Sequence, residues 1–332
     1  MQRRNFLATA GGVVAAGLAG CLGGPDPGDA SVRTVEVESS ISAAVFRWGI
    51  REGVWDDRGV DLAFETAPYG RYNRQIVDDE ADIGAPSAVA QLGFMERGEP
   101  LTFVAPQQNM FNRMFARADD AIDDPTDLGG RTLGLPSALS STTSAVHRVL
   151  VADEYGFDIV DDTADTRAAD PPALWEFVHD GELDAVSQFS GFTIRGIADD
   201  RLQTVFDPHE LWRRRADSGI PTTAFTVRSG WLAENRGLAD DFLDGWGAAL
   251  SSFRANVGDA LAAFGDEAGI TTDADADVVA DLMEREIAFG PTRYDNELVE
   301  AHWGFFELLA DADVVSLGDR DTTFTTAGTL QD

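Results

Sequence analysis

The chain has 332 residues, a length that suits one large or two linked domains with a core of their own. Its 25 basic residues stand against 58 acidic ones and all 25 are arginine, so the missing lysine excludes P-loop phosphate binding and Schiff-base chemistry with pyridoxal phosphate. A formal charge of −33 repels nucleic acid and anionic lipid headgroups, and the single cysteine, Cys21, excludes disulfides, cysteine-based zinc sites and iron–sulfur clusters.

The first segment carries an address. Arg3-Arg4-Asn5-Phe6-Leu7 precedes a weakly apolar Gly/Ala/Val run and resembles a twin-arginine export signal. The run ends in Leu18-Ala19-Gly20-Cys21, which is similar to a lipobox in which Cys21 becomes the lipid-bearing N-terminus. Residues 6–22 are at the short end of the roughly 17–25 that span a bilayer, so a retained membrane anchor is the competing reading. Both readings place the remainder outside the cytoplasm, tethered to the cell membrane. Residues 22–31, rich in Gly, Pro and Asp, are expected to form a flexible linker.

Beyond the linker, strand-like and helix-like segments alternate, which predicts an α/β fold. Strands are expected at 32–37, 60–64, 82–85 and 101–105, with helices at 43–54, from Tyr72, and through Leu92 and Met95. Pro106-Gln107-Gln108-Asn109 reads as a polar bend leading to a second series: strands at 114–116, 132–135, 184–186 and 203–206, with a helix at 144–155. Residues 223–227 form a β-branched and aromatic strand that returns the chain to the first half. The last hundred residues read as helices, with Phe242, Trp246, Ala249, Leu250 and Phe253 on one apolar face. These signals predict one lobe from 32–105 plus 222–332 and another from 106–221.

Four motifs punctuate this alternation: Glu52-Gly53-Val54-Trp55 with Gly59-Val60-Asp61-Leu62; Asp79-Glu80-Ala81-Asp82-Ile83-Gly84; Asp127-Leu128-Gly129-Gly130-Arg131-Thr132-Leu133-Gly134; and Gly181-Glu182-Leu183-Asp184-Ala185. In order and character they resemble motifs of the nitrate/sulfonate/taurine and thiamine-pyrimidine-precursor family of solute-binding proteins, over residues 33–225. The resemblance implies a two-lobed periplasmic-binding-protein-like fold of type II with two crossover segments and C-terminal helices. It also implies a monomeric receptor that closes on a small solute and hands it to an ABC permease, without a cofactor.

Ligands of open α/β sheets bind beyond the carboxyl ends of strands, where helix N-termini offer N–H groups. That rule selects Ser40 and Ser42, then Tyr69, Arg71 and Tyr72, then Ser87. It next selects the hydroxyl run 137–144, with Ser137, Ser140, Ser141 and Thr142, and finally Gln188 and Phe189. Gln108 and Asn109 join them from the expected crossover, and Arg71 is the candidate counter-ion for an anion. Hydroxyls and amides suit a small oxyanion, whereas the tyrosines suit a heteroaromatic ring. An exported cleft enzyme is the alternative, although the four histidines are scattered and no Gly-x-Ser-x-Gly elbow occurs. Asp273, Asp275, Asp277, Asp281 and Glu284 mimic calcium-loop spacing, but Val278 stands where the turn needs glycine, so an acidic helix start is expected.

Overall fold

A computed structural model describes residues 30–136, 141–216 and 218–331. The export signal, Cys21, Ser137 and Ser140 therefore lie outside the described residues. Among the described residues, ten strands form two sheets of five. The first has the order β2-β1-β3-β10-β4, from β1 (Ala30–Val37), β2 (Val60–Ala67), β3 (Ile83–Gly84), β4 (Leu101–Asn109) and β10 (Pro221–Arg228). The second has the order β7-β6-β8-β5-β9, from β5 (Met114–Arg117), β6 (Thr132–Pro136), β7 (Asp165–Ala169), β8 (Ala185–Ser187) and β9 (Leu202–Phe206).

Both sheets follow one plan. In the first, β1 runs parallel to β2 and β3, while β10 is antiparallel to β3 and β4. In the second, β6 runs parallel to β7 and β8, while β5 is antiparallel to β8 and β9. The antiparallel member of each sheet is the strand delivered by a crossover: β5 directly after β4, and β10 after β9. Helices cover the sheet faces, which is why the inner strands read as apolar runs.

Two local expectations are corrected. The linker ends earlier than composition suggested, because Ala30 and Ser31 already pair with Val60 and Asp61 in β1. The polar bend at 106–109 is strand, since pairing with β10 extends β4 to Asn109, opposite Pro221. Only residues 110–113 separate β4 from β5.

The largest core lies against the first sheet. Phe46 of the helix Ile41–Arg51 meets Trp55, Phe225, Phe242 and Trp246, each at most 1% exposed. Offset and edge-on ring pairs of this kind add about 0.5–1.5 kcal/mol each beyond the area they bury. The apolar face expected around Phe242 and Trp246 belongs to the 20-residue helix Arg236–Ala255, which packs on Ile41–Arg51. The C-terminal segment serves both sheets. Phe305 and Phe306 of the helix Asn296–Asp311 join the core containing Leu133, Leu135 and Val146, and Thr325 N–H donates to Phe103 O of β4 at 2.8 Å. The acidic run opens the helix Asp273–Glu284, where Asp275 and Thr272 form a capping box.

Candidate ligand-binding site

The carboxyl ends of β1 and β3 face helix starts that follow β6 and β8, and a cavity of about 40 Å³ lies between them. That is room for about three water molecules. From the first sheet's side it is lined by Glu36, Val37, Tyr69, Tyr72, Ser87, Gln108, Thr222 and Thr223. From the other side come Asn112, Ser141, Thr142, Thr143, Phe189 and Ser190.

Contacts beside the cavity join the two sides. Ser87 and Ser141 are N-caps of the helices Ala88–Glu96 and Thr142–Tyr155, and these helix starts meet head to head. Ser87 Oγ lies 2.8 Å from Thr142 Oγ1; Thr142 N–H donates to Ser87 Oγ at 3.2 Å, and Val89 N–H donates to Thr142 Oγ1 at 3.3 Å. Each helix thus caps the other as well as itself. Gly191 N–H donates to Ser39 O at 3.3 Å, and the rings of Tyr69 and Phe189 lie 5.4 Å apart. Ser39 and Ser190 both adopt left-handed backbone, at φ 56° and 47°. Such geometry costs about 1–3 kcal/mol in a non-glycine residue and collects where two surfaces must fit.

Glu36 is the charged group of the lining. It is 1% exposed, accepts from Val37 N–H at 2.8 Å and from Gln107 Nε2–H at 2.6 Å, and burial pushes its carboxyl up to about 7. The hydroxyls of Ser42 and Tyr72 favour its ionised form, though their close bonds run to Ser40 Oγ and Ala85 O. Burial and the neighbouring Glu36 both raise the Tyr72 phenol, and burial raises that of Tyr69, so both stay protonated.

The structure sorts the residues selected from sequence. Tyr69, Tyr72, Ser87, Gln108, Ser141, Thr142 and Phe189 line one cavity. Arg71 does not, because it pairs with Glu80 at 3.0 Å on the surface. Asn109 packs instead against Gly219 and Gly290 in a separate groove behind the crossover strands. Gln188 is buried with its Nε2–H on Pro171 O. Ser40 caps its helix by accepting from Ala43 N–H, and Ser42 donates to Ser40, so both sit behind the lining. Sequence reasoning did not select Glu36, Val37, Asn112, Thr222 or Thr223, whereas Thr143 lay within its hydroxyl run 137–144.

A serine–histidine pair exists, but away from the cavity surface. Asn112 O can only accept, so His147 donates to it through Nε2 at 3.1 Å and accepts from Ser187 Oγ through Nδ1 at 2.9 Å. Both side chains are fully buried, and burial pushes the imidazole down to about 4. This neutral ring props Asn112, whose Oδ1 accepts from Ser190 N–H and whose Nδ2–H donates to Thr143 Oγ1. Its role here is structural.

The family model described as NMT1/THI5 like matches residues 46–245, more than half of the chain. No curated protein sequence matches it. Among solved structures, the periplasmic aliphatic sulphonate binding protein of Escherichia coli superposes with a TM-score of 0.70 at 13% identity, over 89% of this chain and 92% of that one. The alkanesulfonate-binding protein of Xanthomonas axonopodis pv. citri, bound to MOPS, gives 0.67 at 12% identity over 90% and 96%. A Candida albicans protein described as exhibiting the generic periplasmic binding protein structural fold gives 0.65 at 13% identity over 90% and 96%.

Proposed function

This chain belongs to the NMT1/THI5-like family, and from that premise we propose that it is the extracytoplasmic solute receptor of an ABC importer. One observation carries the reading: a cavity between two sheets, lined from both sides, in a molecule whose sheets exchange strands through two crossovers. Hinge closure around a small ligand is what that connectivity permits. In this reading the expected lobes, 32–105 with 222–332 and 106–221, shift to 30–109 with 221–331 and 110–220, so that β1, β4 and β10 each stay whole. Tyr69, Tyr72, Ser87, Gln108, Ser141, Thr142 and Phe189 contact the solute. The twin-arginine signal exports the protein, a lipid on Cys21 holds it at the membrane, and the monomer docks on the permease. Its acidity keeps it solvated at high salt.

The expected result is a smaller radius of gyration by small-angle X-ray scattering once a ligand is found by thermal shift. A ligand at 100 times its Kd adds about 2.7 kcal/mol of stability. Binding without any compaction, or turnover of the bound compound, sinks the receptor reading.

A further inference from the structure

We propose that the cleft selects a small solute that presents N–H donors and positive or zero charge to Glu36, and that it disfavours oxyanions. The inference deepens the receptor reading and rests on it.

Charge is the first argument. Among the described residues, Glu36 is the only one of the lining that ionises to a full charge near neutral pH, and no described arginine or histidine lines the cavity to answer an anion. The cation expected for that role, Arg71, is committed to Glu80 outside. An anion brought beside a buried carboxylate meets repulsion that solvent does not screen.

Donors are the second. An oxyanion site needs free amides at helix starts. Here the hydroxyls occupy them: Ala90 N–H is bonded to Ser87, Ser144 N–H to Ser141, and Thr142 N–H to Ser87 across the gap. Ser141 and Thr142, from the hydroxyl run that looked like an anion cradle, are spent on capping.

Acceptors are the third. A carboxylate offers about four lone-pair sites, and Val37 N–H and Gln107 Nε2–H take two. Gln108 Nε2, Ser190 Oγ and Thr222 Oγ1 are buried on the same lining without a hydrogen-bond partner among the described residues. Buried polar atoms are rarely left so. The complementary ligand carries N–H groups at the Glu36 end and an acceptor within reach of Gln108 Nε2. Tyr69 and Phe189 supply an aromatic wall.

Protonation gives the signature. Tyr69 and Tyr72 are the other titratable groups among the described lining residues, and both stay neutral. Since the free carboxyl titrates near 7, a cation must displace its proton below that pH and an oxyanion must do the reverse.

The test is calorimetric titration of the full chain at pH 5.5, 6.5 and 8 with acetamidinium, methylammonium and 4-aminopyridinium, and with nitrate and methanesulfonate. The expected result is binding from the first group, strengthening up to about tenfold per pH unit below pH 7 and levelling above it. Glu36→Gln should weaken it at least tenfold and flatten the pH profile. Should that variant fail to fold, the wild-type profile still decides. Oxyanions binding tighter than every cation, or cation affinity falling as pH rises, overturns the assignment while leaving a solute receptor in place. No binding of any of the five probes also overturns the assignment, and leaves the receptor reading to the scattering test.

Discussion

Glu36 ties stability to pH in the free protein. Its carboxyl titrates near 7 in the fold and near 4.3 in an unfolded chain. Between those values the native state holds the extra proton, so the stability it contributes is complete below about pH 4 and is lost as pH rises through about 7. Glu36→Gln removes that loss. Glutamine can keep the acceptor for one of Val37 N–H and Gln107 Nε2–H but not for both, which returns part of the gain. The variant should be about 1–2 kcal/mol more stable than wild type at pH 8 and no more stable at pH 5, by urea unfolding. The same difference at both pH values would sink the assignment. The comparison must be between variants, because His147 and His302, pushed by burial down to about 4 and about 3, work in the opposite direction. Their contribution is present above about pH 6.5 and lost as pH falls. Glu36 was legible in principle: it shares a strand face with Val32 and Thr34, and an acid on the buried face of a strand is an anomaly. Arg71 misled because a nearby surface acid, Glu80, competes for any arginine a loop exposes.

At the scale of elements, the packing of Ile41–Arg51 against Arg236–Ala255 depends on absent side chains. A Cβ on Gly245 would stand 2.2 Å from Trp55 Nε1, whose N–H donates to Phe242 O at 3.0 Å. One on Gly49 would meet Ala249 Cβ at 2.5 Å. Alanine recovers about 0.5–1 kcal/mol of helix propensity, but overpacking a full core costs about 1–3. Trp55 is 1% exposed and held by its bond, so it cannot swing aside. Gly245→Ala should therefore lose about 1–2 kcal/mol in thermal or urea unfolding, with tryptophan fluorescence altered; a neutral or stabilising outcome contradicts the packing. Elements such as this helix were readable because their apolar stripe repeats at helical period. Strand β7, Asp165–Ala169, was not: an edge strand of Asp-Thr-Arg-Ala-Ala carries no alternation, and pairing with β6 alone makes it a strand. The bend expected at 106–109 failed for the same reason, since only β10, more than a hundred residues later, supplies its partner.

For the whole molecule, the −33 charge and the buried site should answer salt differently. Many acids have no arginine to meet, because 58 face only 25. Their mutual repulsion acts through water and is screened over about 10 Å at 0.1 M salt and about 3 Å at 1 M. The unfolded chain spreads the same charges further apart, so repulsion penalises the folded state, and screening relieves it. The thermal midpoint should climb steadily from 0.1 to 2 M KCl. It should climb equally in NaCl, since screening depends on ionic strength. Glu36 lies inside, 1% exposed, where mobile ions do not follow. The affinity of a solute held by short hydrogen bonds there should change much less than stability does over the same range, once measured by calorimetry at each salt concentration. A flat melting curve across the series would mean the surface acids are already neutralised by their arginines. Affinity collapsing in step with screening would mean the ligand is held by the surface field, and that the solute sits at the rim of the cleft and away from Glu36.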